Sequence, residues 1–285
     1  MGKVRGILMF CLTASSISTA CAQSVSEVGR TYEIRRSYET SSKHGDESSG
    51  SSSGHDTILE RVVAERDGGL ELEFDYPAGT SKEDRARDWQ LPVRVFRAAD
   101  RTFSLIDRPL LEKRIDSWLK RAKIDRRACG SWYFTWNAFK VECDPLSVLN
   151  TVVGFDIRIA PVATGQLYKA DGAIAAVPLR KGDSVLNETS LVADSQLDPV
   201  GWQRQAAEAD VVIGQITREP LTIGEALQRR AKEQVSGTIK VQLALSGTPL
   251  QVMRQTTTTE ITIKSADGPA ELRTKQEVIE RKLLN

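Results

Sequence analysis

The sequence predicts an α+β fold in which antiparallel β-meanders at both ends form one curved sheet, with helices from the middle of the chain packed on its concave face. Three observations predict it. Apolar and polar residues alternate near both termini, the period of half-buried strands. The middle of the chain instead carries apolar residues at helical spacing behind capping residues. No Pro- or Gly-rich linker divides the two, so residues 23–285 read as one domain behind a signal peptide at 1–22.

Residues 31–41 place Tyr32, Ile34 and Tyr38 on one face and Glu33, Arg35 and Ser37 on the other, a half-buried strand. Residues 41–54 (SSKHGDESSGSSSG) are too poor in apolar side chains to bury a core and read as a mobile loop at a hairpin tip. A return strand at 56–66 and the turn Asp67-Gly68-Gly69 lead into LELEFDY at 70–76, apolar on even numbers and acidic on odd. Ser81 with Asp84 starts a short helix reaching Trp89. Asp107 caps a helix through Lys123 with Pro109 in its first turn and Leu110, Leu111, Ile115, Trp118, Leu119 and Ala122 on its stripe. Asp144-Pro145 opens a helix closing at Gly154, Asp198-Pro199 one reaching about Val212, and Thr222 with Glu225 makes a capping box for one reaching about Gln234. Residues 160–196 read as loops and short strands. The end is β again, with alternation at 239–245, the polar run TTTTEITIK and a last strand from Ala270 to about Lys282.

The first 22 residues have the signature of a targeting segment. Lys3 and Arg5 precede the apolar stretch ILMFCL, and Ala20-Cys21-Ala22 fits small-residue cleavage, leaving Gln23 first. Ser18-Thr19-Ala20-Cys21 is also similar to a bacterial lipobox, in which Cys21 would be lipidated. Either route exports the protein: periplasmic or secreted by cleavage, an outer-membrane lipoprotein by lipidation. The apolar stretch is too short to span a bilayer, and the mature chain contains no other candidate.

Removing Lys3 and Arg5 from 39 basic residues leaves 37 against 38 acidic ones. That balance gives no electrostatic footprint for a nucleic acid. Hydrophobic residues at 40 % and charged ones at 27 % exclude a disordered chain and a polytopic membrane protein. Cys11 and Cys21 lie in the signal, so Cys129 and Cys143 remain, and in an oxidising compartment they pair as a disulfide around a hairpin.

Catalytic motifs are scarce. His44 and His55, the only histidines, flank the Ser/Gly run, which leaves no Ser-His-Asp triad, no Cys-His pair and no zinc-hydrolase site. The sequence contains no phosphate loop. Glu71, Glu73 and Asp75 line one strand face and read as solvated rather than as a catalytic pair. Asn187-Glu188-Thr189 is a glycosylation acceptor only in a eukaryotic host. The most distinctive patch is Trp132-Tyr133-Phe134-Thr135-Trp136, whose alternate rings either pack on the core or line a groove, with Trp118 and Trp202 able to complete either one.

The signal, the Asp-Pro helix starts and the run from Cys129 to Pro145 are similar to uncharacterised bacterial envelope proteins. The strand–helix–strand order resembles the half-barrel of lipoprotein carriers, which implies a curved sheet and helices around an apolar cavity for acyl chains. The resulting expectation is an exported, non-catalytic envelope protein that binds a lipid, another apolar ligand or an envelope protein through Trp118, Trp132, Phe134 and Trp136. The alternative is a structural or assembly protein without a small-molecule site, and the third reading is a carboxylate-dependent hydrolase. No cofactor, metal or nucleic acid is expected.

Overall fold

A computed structural model describes residues 26–45, 48–134, 138–159, 162–183, 189–247, 250–265 and 268–284. The signal segment and Cys21 lie outside them, as does Asn187. The strands are β1 (Thr31–His44), β2 (Ser48–Arg66), β3 (Gly69–Asp75), β4 (Val93–Arg97), β5 (Phe103–Leu105), β6 (Trp132–Phe134), β7 (Ala138–Lys140), β8 (Leu167–Tyr168), β9 (Val177–Pro178), β10 (Arg180–Lys181), β11 (Thr189–Gln196), β12 (Gln234–Ser246), β13 (Gln251–Lys264) and β14 (Glu271–Leu283). The helices are α1 (Lys82–Ala86), α2 (Arg108–Ala122), α3 (Ser147–Val153), α4 (Pro199–Thr217) and α5 (Ile223–Arg230).

Ten strands form one curved antiparallel sheet in the order β10-β11-β12-β13-β14-β1-β2-β3-β4-β5, open at both ends and carrying helices. The pairing of β1 with β14, Tyr32 opposite Leu283 and His44 opposite Glu271, joins the two terminal meanders as the sequence predicts. A short hairpin, β6-β7, stands apart from the sheet. The core follows from strand parity. Ile34, Ile58, Leu72 and Val95 from four successive strands are buried with Leu111, Ile115 and Leu119 of α2 and Val148 and Val152 of α3. Ile239, Val241 and Leu243 of β12 belong to the same apolar cluster.

Local signals place the helix starts. Asp107 accepts from the Leu110 amide and Asp198 from the Val200 amide, and Thr222 with Glu225 forms the full capping box. Helix α3 starts two residues after Pro145, without a side-chain cap. Helix α4 runs to Thr217, past the predicted end near Val212, while α5 stops at Arg230 because β12 already begins at Gln234.

The Ser/Gly run requires a correction. It is not an extended loop: residues 41–44 and 48–54 continue β1 and β2, paired from Glu39 opposite Ser53 to His44 opposite Ser48. Weak strand propensity is overridden by context, because β1 is held on its other side by β14 along this whole length. Gly54 has a specific role, since a Cβ there would lie 2.7 Å from the Tyr38 ring that covers it.

Gly237 of β12 lies opposite Ile261 of β13, with no room for a side chain. A Cβ added there would meet the Glu260 carbonyl oxygen at 2.3 Å and the Ile261 Cα at 3.2 Å, both backbone atoms that cannot swing away. Gly237→Ala is expected to cost about 1–3 kcal/mol by overpacking. An unchanged urea midpoint would show that the strands do not approach in this way.

Candidate functional site

Two polar clusters stand out, and they differ in access. The first is sealed between the sheet and the segment after α3. Glu60 is fully buried, and Arg281 is 3 % exposed. Arg281 donates to Glu60 from Nη2 at 3.0 Å and Nε at 3.2 Å, while Arg158 grips the same carboxylate with both terminal nitrogens. Asp156 accepts from Arg97 at 2.8 Å, and Glu27 lies 3.5 Å from Arg281. Burial alone would push the Glu60 carboxyl up, but the two guanidinium groups outweigh it and hold it below the usual carboxylate range. Three carboxylates and three guanidinium groups balance. This cluster ties the chain after α3 to β2, β4 and β14 and to Glu27 ahead of β1, and its role is architectural.

The second cluster is open to solvent. It is a groove of about 600 Å³ on the face of the central strands, where register sets side chains in rows. Ser52, Thr40, Lys275 and Thr259 are successive partners across β2, β1, β14 and β13. Gly50, Ser42, Arg273 and Ile261 form the next row, and Ser48, His44, Glu271 and Ile263 the row after. These positions share the parity of buried Tyr32 and Ile34, so this is the helix-bearing face. Trp202 of α4 confirms it by lying under the Arg273 guanidinium, 5.8 Å from the ring centroid.

The charges of the groove are locked in pairs. His44 Nε2 is 3.4 Å from Glu271, which also accepts from Arg273. Glu277 accepts from Lys275 at 2.9 Å and from Arg36 at 3.1 Å. At both carboxylates burial pushes the carboxyl up, and the neighbouring cations more than reverse it. Both therefore stay ionised, and the wall alternates in sign between neutral hydroxyls.

The sequence-predicted site residues fall elsewhere. Trp118 is half-buried on α2, its indole N–H donating to the Arg87 carbonyl at 2.9 Å. Trp132 is half-buried in β6, Phe134 is placed by its backbone opposite Ala138, and Trp136 lies outside the described residues. The ring pair the hairpin presents is Tyr133 with Phe139, stacked with centroids 5.9 Å apart and 43 % and 44 % exposed. Cys129 and Cys143 form the disulfide, as expected. Glu71, Glu73 and Asp75 all face arginines: Glu71 lies 3.5 Å from Arg94, Glu73 3.0 Å from Arg94, and Asp75 2.8 Å from Arg85. Sequence reasoning missed the groove because Ser42 and Ser52 sit in the run assigned to a loop, and Thr40 and Thr259 come from strands far apart in sequence.

Among the described residues, no group of three or more His, Cys, Asp and Glu is arranged to hold a metal, and no helix is long and apolar enough to cross a membrane. No family model matches the chain, and no curated protein matches it in sequence. Among solved structures, the chain is similar at 9 % identity and a TM-score of 0.32 to a lipovitellin described by its lipid–protein interactions, over 90 % of this chain and 25 % of that one. A conserved protein of unknown function with a hot dog fold from Alicyclobacillus acidocaldarius is similar at 10 % identity and a TM-score of 0.12, over 90 % of this chain and 80 % of that one. The chain thus spans a quarter of the lipovitellin chain it matches, and likenesses at this level assign neither family nor function.

Proposed function

We propose that the protein is an exported, non-catalytic binding protein whose groove takes a hydroxylated ligand such as an envelope oligosaccharide. The observation that carries this reading is the rows of side chains in the groove. Ser42, Ser52 and Thr259 offer hydroxyls that both donate and accept, and Thr40, whose hydroxyl donates to the Ser52 carbonyl at 3.3 Å, offers an acceptor, between ionised groups of both signs. The size suits a short saccharide. Export is supported by the signal segment and the disulfide, and a non-catalytic role by the pairing of Glu71, Glu73, Asp75 and His44 with partners of opposite charge.

Titration calorimetry against neutral, amino-sugar and uronic-acid trisaccharides tests the reading. At least one class is expected to bind, and Lys275→Ala is expected to weaken it about tenfold or more, the worth of a hydrogen bond to a charged group. Failure of the whole series to bind, or full binding by the variant, would remove the groove as the ligand site.

The exposed Tyr133–Phe139 stack favours a second reading, in which the clamped hairpin contacts an apolar ligand, a lipid or an envelope protein. Tyr133→Ser with Phe139→Ser is expected to abolish binding to phosphatidylglycerol vesicles while leaving saccharide binding intact. Equal vesicle binding by parent and variant would exclude this contact.

A further inference from the structure

Strand β2 is far longer than its neighbour. Its partners in β3 cover only Leu59 to Arg66, whereas β1 pairs with it from Ser48 to Arg61. Residues 48–58 therefore form a sheet edge inside the topology, and alternate residues along it turn their main-chain N–H and C=O away from β1. Ser49 to Ser53 are exposed, as are His55 and Asp56. Sheet edges are normally guarded by lysine, proline, a bulge or a covering element. Residues 48–54 contain neither lysine nor proline, and the bulge in β2 lies beyond them, between Val62 and Ala64.

We propose that this edge pairs with the same edge of a second copy of the chain, in antiparallel register about a two-fold axis, to make one continuous sheet. Self-pairing requires that the strand be complementary to itself, and this one is. Centred on Ser52, the register sets Ser51 against Ser53, Gly50 against Gly54 and His55 against Ser49. No charged side chain then faces another, and no bulky pair collides. A foreign peptide is a poorer fit, because strand addition gains specificity from pockets for alternate side chains, and a Ser/Gly strand has few to offer. The proposal uses the backbone edge and stands independently of the groove reading.

The test is sedimentation equilibrium of the purified chain from low- to high-micromolar concentration, beside the double variant Ser51→Lys, Ser53→Lys. Within one copy, Ser53 lies opposite Glu39, which receives a lysine well. Across the axis, each new lysine faces a lysine of the second copy. The parent is expected to dimerise reversibly, and the variant to dissociate about tenfold more readily. Hydrogen exchange on the parent alone gives an independent readout should the variant fold poorly. Amides at 48–57 are expected to exchange more slowly as concentration rises. A parent that is monomeric throughout, a dimer unaffected by the lysines, or protection arising elsewhere would overturn the proposal, as would a strand contributed by another protein.

Discussion

Glu60→Gln is expected to destabilise the protein by about 3–5 kcal/mol, the cost of leaving buried guanidinium groups without their counter-charge. The carboxylate is fully buried, and two arginines converge on it. Each arginine has a further anchor: Arg158 lies 3.9 Å from Asp156, and Arg281 lies 3.2 Å from the Tyr32 ring centroid. Neither cation therefore leaves easily for solvent. Glutamine keeps the shape and removes the charge, so the loss measured by urea denaturation reports electrostatics rather than a cavity. The same variant carries a pH signature. The folded-state carboxyl titrates below the ordinary glutamate value of 4.5, so its contribution is complete above that pH and disappears as pH falls through the folded value. The difference between parent and variant is thus expected to be largest near neutrality and to shrink in acid. A difference under about 1 kcal/mol at neutral pH, or one that grows in acid, would refute the ionic account.

This network explains why part of the fold was legible in the sequence and part was not. Caps and periodicity are local, and they located every helix start to within about three residues, because Asp107, Asp198 and Thr222 act within one turn of themselves. The alternation of LELEFDY likewise identified β3 directly. What escaped was held by distant partners. VRVFR at Val93–Arg97 became β4 because β3 offered it an edge, and Thr189–Gln196, inside the stretch read only as loops and short strands, became the eight-residue β11 by pairing with β12. The Ser/Gly ribbon is the extreme case, with no local strand preference and a neighbour 227 to 233 residues away, from His44 opposite Glu271 to Ser41 opposite Thr274. The groove inherits that illegibility. Its walls meet only after β14 docks on β1, so no spacing in the sequence brings Thr40 beside Lys275 or His44 beside Glu271. The aromatic run, in contrast, was conspicuous in sequence, and the ring pair it presents, Tyr133 with Phe139, combines one residue of that run with one on the returning strand.

Replacing both Cys129 and Cys143 by serine is expected to cost about 3 kcal/mol, the constraint that closing a loop of this length places on the unfolded chain. The two cysteines are 14 residues apart, with Cα atoms separated by 5.5 Å. The closed segment also stands outside the ten-stranded sheet. Strands β6 and β7 have three residues each and pair only with one another, and a two-stranded hairpin is marginal in water. What fixes its base, apart from the disulfide, is buried Val141, the Gly130 amide donating to the Val141 carbonyl at 2.8 Å, and the Trp89 indole donating to the Glu142 carbonyl at 2.9 Å. Loss of the covalent clamp therefore acts at two levels: the unfolded chain gains freedom, and the native hairpin frays ahead of global unfolding. The double-serine variant is expected to melt lower than the oxidised parent and together with the parent in reductant. Its amides between 130 and 142 are expected to exchange first, while the groove, built on other strands, keeps its ligand. Equal melting of variant and oxidised parent would mean that the native packing of Val141 and Trp89 holds the hairpin unaided. If the hairpin frays as expected, vesicle binding through Tyr133 and Phe139 falls with it and saccharide binding does not, which separates the two proposed contacts in a single variant.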